Sequence, residues 1–143
     1  MGRKVFFAIG TALFLTAAGV GIVAVTGYPN QVCAAKTLLS FKTQLSFKED
    51  VFPILQGRCF QCHQSGGEGY EKSGLDLHTY EGVMKGTKYG PMVIPGDPDT
   101  SNLMRLLDWK TAPEIRMPHG KKQLSSCDRD AIREWIRQGA KNN

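Results

Sequence analysis

The sequence predicts an all-α domain with long connecting loops, preceded by a separate apolar segment. Three observations lead there. No run of strand length alternates apolar and polar residues, several segments place apolar residues at helical spacing, and glycine (16) and proline (7) punctuate the stretches between them. A chain of 143 residues has room for about one domain.

The N-terminal segment is distinct from the rest. Met1-Gly2-Arg3-Lys4 is basic, and residues 5–27 (VFFAIGTALFLTAAGVGIVAVTG) carry no charge. As a helix at ~1.5 Å per residue that run is long enough to cross ~30 Å of hydrocarbon. Secretory signals have shorter apolar cores of roughly 7–15 residues, so length favours an uncleaved transmembrane anchor. The alternative is a signal peptide cleaved near Val32-Cys33-Ala34, after the helix-breaking Gly27-Tyr28-Pro29. On either reading Arg3 and Lys4 stay on the cytoplasmic side and everything after Tyr28 is exported. Residues 1–30 are therefore assigned to the anchor or signal, 31–46 to a linker and 47–143 to the folded domain. Of the formal charge of +5, Arg3 and Lys4 account for two units. The remainder is too small and too mixed with acids for a nucleic-acid binder, and suits solubility or docking to an acidic protein face.

Within the domain, Ser46-Phe47-Lys48-Glu49 has the form of a capping box. Pro53 is tolerated only in a first turn, so the first helix is placed from about Asp50 to His63. Residues 64–75 (QSGGEGYEKSGL) read as a glycine-rich loop. A short helix is expected over Tyr80 to Lys85, closed by Gly86. After a second turn cluster, Thr100 or Ser101 starts a helix bearing Leu103, Met104, Leu106, Leu107 and Trp109. The final helix is capped by Ser125, places Ala131, Ile132, Trp135 and Ile136 on one face, and ends at Gly139.

The chemistry is concentrated in Cys59-Phe60-Gln61-Cys62-His63. Covalent attachment of haem requires two thiols about one helical turn apart to meet the vinyl groups, and a histidine directly after the second to bind the iron. A structural zinc site wants four ligands in paired half-sites, and no second Cys-x-x-Cys exists; Cys33, Cys127, His78 and His119 are scattered. A redox dithiol of thioredoxin type sits at a strand-to-helix junction, and nothing before Cys59 reads as a strand. For the sixth iron ligand the sequence favours Met117, in a loop stiffened by Pro118, because thioether sulfur raises the potential. Met92, His78 and His119 are the alternatives, while Met104 reads as core packing.

Cys59 to His63, then Met117-Pro118, then Glu134-Trp135-Ile136-Arg137-Gln138-Gly139-Ala140 resembles a small mono-haem class I c-type cytochrome. SGLDLHTYEGVMKG and VIPGDPDTSNLMRLL are similar to segments of planctomycete-type cytochrome c domains. The resemblance runs from about Phe47 to Ala140. It implies one haem c bound through Cys59, Cys62, His63 and Met117, a first and a last helix crossing beside it, and a methionine loop closing the other face. It also implies one-electron transfer at the periplasmic side of a bacterial inner membrane, with redox proteins of a respiratory or photosynthetic complex as partners, and no small-molecule substrate. The alternative is a haem enzyme or gas sensor with an open axial position. His119 stands where the family often has a second proline, and Cys33 and Cys127 are additions to its pattern. Cys127 reads as a small buried apolar residue, with a disulfide to Cys33 as the alternative. Trp135 reads as core, and Lys121 and Lys122 as solvated charge, with the alternative that together with Arg116 they form the edge at which a partner docks.

Overall fold

A computed structural model describes residues 44–143; the apolar run 5–27, Cys33 and most of the expected linker lie outside the described residues. Among the described residues the secondary structure is helical, with no strand and one isolated bridge between Thr87 and Gly90. No helix among them is long and apolar enough to cross a membrane.

The chain enters its first helix earlier than Asp50. The Ser46 hydroxyl accepts from the Glu49 N–H at 3.1 Å, as the capping box requires, but the returning bond from the Ser46 N–H goes to Asp50 Oδ2 at 2.9 Å. A π-helical turn over Phe47–Val51 then runs directly into α1, Phe52–Arg58. The wide turn sits just upstream of Pro53, which has no N–H to contribute, and within it the Phe52 N–H is satisfied by the Phe47 carbonyl. The helix also stops at Arg58, short of His63.

Residues 64–75 hold a helix, not only a loop: α2 spans Glu68–Ser73, between Gly67 and a left-handed Gly74. Glycine lowers the intrinsic helical preference there, so the sequence pattern hides it. What stabilises the turn is a tertiary bond, from the Tyr70 N–H to the Cys62 carbonyl at 2.8 Å. α3, Tyr80–Lys85, matches expectation, with the Thr79 hydroxyl accepting from the Gly82 N–H and Gly86 after the last residue. α4, Asn102–Leu107, starts after Ser101, but that side chain does not cap it. The fully buried Ser101 hydroxyl accepts from the Ile94 N–H at 2.9 Å and donates to the Asp97 carbonyl at 2.7 Å, tying the preceding loop to the helix start. Trp109, expected on the α4 face, lies beyond its end in a left-handed conformation, and a single 3-10 turn, Pro113–Ile115, follows.

α5, Ser126–Arg137, is capped by the Ser125 hydroxyl and organises the core. Ile132, Trp135 and Ile136 are fully buried, and each side chain of this size contributes roughly 1.5–3 kcal/mol by leaving water. The Trp135 ring packs 5.4 Å from Phe47, which in turn meets Tyr80 at 5.2 Å and Phe52 at 6.0 Å. The two ends of the domain are also bonded: Lys48 N–H to the Asn143 carbonyl at 3.2 Å and Leu45 N–H to Gln138 Oε1 at 2.6 Å. α4 and α5 are joined by Asp108, whose carboxylate takes Arg133 at 2.6 Å and lies 3.5 Å from the Lys110 ammonium. Cys127, read from sequence as an apolar core residue, is only half-buried and is disulfide-bonded. An oxidising compartment makes that state available where sequence pattern alone cannot select it.

Candidate haem-attachment site

The attachment residues follow directly on α1. The Cys59 N–H closes the helix onto the Leu55 carbonyl at 2.8 Å. The Cys62 and His63 N–H groups then both donate to the Cys59 carbonyl, at 3.1 and 3.0 Å, winding the motif into one tight turn. Both thiols are free, with Cys59 half-buried and Cys62 exposed. Between them Phe60 is buried, its ring 5.3 Å from Phe52 and 4.8 Å from His78, so the turn is nailed to the core while its cysteines stay at the edge.

Thiol chemistry separates the sequence readings. Burial pushes the Cys59 thiol up to about 11, against the lowering influence of Arg58 and Lys121. The attacking thiol of a redox dithiol needs the opposite, a thiolate populated near neutral pH, so Cys59 is not built for that role. Among the described residues no group of three or more His, Cys, Asp or Glu side chains gathers as a structural metal site would need.

His63 has the properties of an iron ligand. It is buried, and burial is the larger influence on its imidazole, lowering the pKa; the backbone of Leu75 opposes this without reversing it. The ring is therefore neutral at physiological pH, with a lone pair to give. Nδ1 is buried and, although Leu75 is close, has no partner at hydrogen-bonding geometry. Histidines that bind metals direct their second ring nitrogen at such an acceptor. The motif's own carbonyls are occupied: Cys62 accepts from Tyr70 and His63 from Leu77, each at 2.8 Å. Two glycines allow this close packing. A Cβ on Gly67 would stand 2.5 Å from the Cys62 carbonyl oxygen, and one on Gly69 would stand 2.7 Å from His63 Cε1 and 2.9 Å from Nε2. Glycine at 69 keeps the edge of the imidazole uncovered. Paired free thiols one turn apart, a neutral buried histidine and this uncovered edge fit covalent haem.

Met117 arrives from the other side of the sequence. It is half-buried against the core, its N–H donates to the Leu106 carbonyl at 3.3 Å, and its carbonyl accepts the Trp109 indole N–H at 2.9 Å. Its peptide bond to the buried Pro118 is cis. The residues just after it reach the attachment turn. Lys121 Nζ donates to Gln61 Oε1 at 3.2 Å, and Arg58 donates to the Lys122 carbonyl at 3.4 Å. His119 is exposed and near enough to Glu68 to help its Lys72 partner hold that carboxyl below its ordinary range. Of the alternative ligands, Met92 is buried among core residues and His78 is an exposed ring against Phe60.

Residues 59–119 match the sequence model of the family described as planctomycete cytochrome C. They form a c-type cytochrome domain. The match opens on Cys59 and closes on His119, so it spans both the attachment turn and the Met117 strap. No curated protein and no solved structure matches the chain significantly. The cofactor of this cytochrome domain is covalently bound haem c, with Cys59, Cys62 and His63 as the attachment motif. Haem iron supplies a one-electron change of charge, and the domain is accordingly an electron-transfer module.

Two features of the site escape sequence reasoning. The role of Gly67 and Gly69 in seating the motif is one, and their crowding within the run Gly66-Gly67-Glu68-Gly69 is the only signal available. Trp109 is the other, since an aromatic three residues after Leu106 reads as one more apolar position of a helix.

Proposed function

We propose that this chain is a membrane-tethered, mono-haem electron carrier in which Met117 binds the iron face opposite His63. The observation that carries the reading is the position of the Met117 strap. It is bonded at its base to the end of α4 and at its downstream end through Lys121 to the attachment turn itself and through Lys122 to Arg58 just before that turn. Thioether ligation favours ferrous iron and leaves no open position for a substrate, which suits a carrier.

The tether is residues 5–27, which would hold the haem domain at the periplasmic side of a bacterial inner membrane. Redox proteins of a membrane complex are the partners. They dock beside Lys121 and Lys122, both exposed and both next to the cysteine turn, while Arg116 is half-buried and engaged with Thr111 and Trp109. Neutralising Lys121 and Lys122 is expected to lower the rate of electron exchange with an acidic partner and flatten its dependence on salt.

Two measurements on purified protein test the core of this reading. A pyridine haemochrome spectrum of thioether-linked haem is expected. In the ferric protein a sulfur-to-iron charge-transfer band should be present and should vanish in Met117→Ala. Rapid binding of carbon monoxide by the wild-type ferrous form would instead indicate an open position and a gas-sensing or enzymatic role.

A further inference from the structure

The end of α4 carries a tryptophan where the backbone asks for glycine. Trp109 has φ +59°, its N–H donates to the Leu106 carbonyl at 3.2 Å, and the next N–H, of Lys110, reaches back to the Arg105 carbonyl at 2.9 Å. This pair of bonds is the common left-handed helix stop, in which the residue at the position of Trp109 is usually glycine. A side chain there crowds the backbone, which is why glycine is preferred. Backbone conformations of this kind persist where the side chain serves a purpose.

The purpose is visible in what the indole touches. Trp109 Nε1–H donates to the carbonyl of Met117 at 2.9 Å, and the guanidinium of Arg116 lies 5.5 Å over the ring. Arg116 is itself pinned by donation from its Nε to the Thr111 carbonyl at 3.2 Å. With the Met117 N–H already on Leu106, both backbone polar groups of Met117 are held by the last turn of α4 and the residue that ends it. Pro118 follows and offers no donor of its own. The strap therefore has one fixed base, and Trp109 is half of it.

We propose that Trp109 is a positioning residue for the axial methionine: its indole N–H fixes the Met117 carbonyl, and so keeps the strap from swinging the sulfur off the iron. This rests on the reading of Met117 as the sixth ligand. Without the indole bond the strap keeps only the Leu106 bond at its base, and an added ligand competes for iron more easily.

The full-length holoprotein is compared with Trp109→Phe, which keeps an aromatic ring and the left-handed backbone but loses the N–H, and Trp109→Gly, which relaxes the backbone and loses the ring altogether. In the ferric form both are expected to weaken the sulfur-to-iron band and to raise the affinity for added imidazole about tenfold, the effect of one hydrogen bond to a backbone carbonyl. Trp135→Phe is the control for stability alone, because it removes an indole N–H bonded to the Lys141 carbonyl at 2.9 Å on another helix. It should lower the melting temperature and leave the imidazole affinity unchanged. If the wild-type band is present, Met117→Ala abolishes it, and Trp109→Phe keeps both band and imidazole affinity, the proposal is overturned while the ligand assignment stands. An equal rise in imidazole affinity in Trp135→Phe also overturns it. A wild-type band that is missing, or that survives Met117→Ala, removes the ligand assignment and the proposal together.

Discussion

The ends of α4 and α5 use one backbone device for different purposes. At the end of α5 the Gly139 N–H donates to Ile136 and the Ala140 N–H to Trp135, both at 2.9 Å, the same pair of bonds that closes α4. Gly139 takes the left-handed position with φ +99°, and Ala140 follows at φ +50° with the smallest side chain that could stand there. The Ala140 carbonyl then receives the Tyr80 hydroxyl at 2.8 Å, inside the core. Everything at that end serves packing. At the end of α4 a bulky aromatic takes the glycine position and spends its polar atom on the methionine strap. The contrast teaches that the helix farther in sequence from the cofactor motif is built for stability, whereas the shorter helix gives up some stability to aim a loop.

The largest effect should come from breaking the α5 side. Trp135→Ala removes the largest fully buried side chain and its indole bond, and is expected to cost about 4 kcal/mol in denaturant unfolding of the holoprotein. Severing the end of α4 from the body of α5 comes next. Asp108→Asn weakens the bond to Arg133 across the α4–α5 contact and should cost about 2 kcal/mol by the same measurement. Exchanging the residues of the two stops sharpens the comparison further. Gly139→Ala puts a side chain into the left-handed position and should cost about 1 kcal/mol or slightly more. Trp109→Gly should change global stability by less than about 1 kcal/mol, because backbone relief offsets the lost bond. Only the second of that pair should alter the ferric spectrum.

The smallest effect concerns the loop that leads into α4. The Asp97 carboxylate accepts from the Thr100 hydroxyl at 2.6 Å and from the Asp99 and Thr100 N–H groups at 3.1 Å, and its pKa is lowered chiefly by the Thr100 side chain. A carboxyl depressed on folding stabilises the fold above its unfolded pKa, and that contribution is lost as pH falls through the folded pKa. Protection of the Thr100 amide against exchange, relative to its intrinsic rate at each pH, should therefore fall only on the acid side of the ordinary carboxylate range. Asp97→Asn should remove most of that dependence.

Much of this molecule is legible residue by residue. Thr79 and Gly86 bound α3 where a cap and a left-handed stop are expected, and Ser125 starts α5. These signals work because a cap is a contact between neighbours in sequence. The cysteine and histidine spacing is equally local. α2 was not legible, since its glycines argue against a helix and its stabilising bond comes from Cys62. Nor was the π turn, where the capping box points to Glu49 and the carboxylate that answers is Asp50.

Order along the chain thus determines which atoms can meet within a turn: the haem-bearing motif, the caps and the apolar face of the last helix. Whether distant atoms meet is decided by closure of the core around Trp135, Ile132 and Ile136. That closure gives Trp109 a carbonyl eight residues away and Lys121 a partner at Gln61. No periodicity encodes such contacts, because burial fixes them only after the helices have packed.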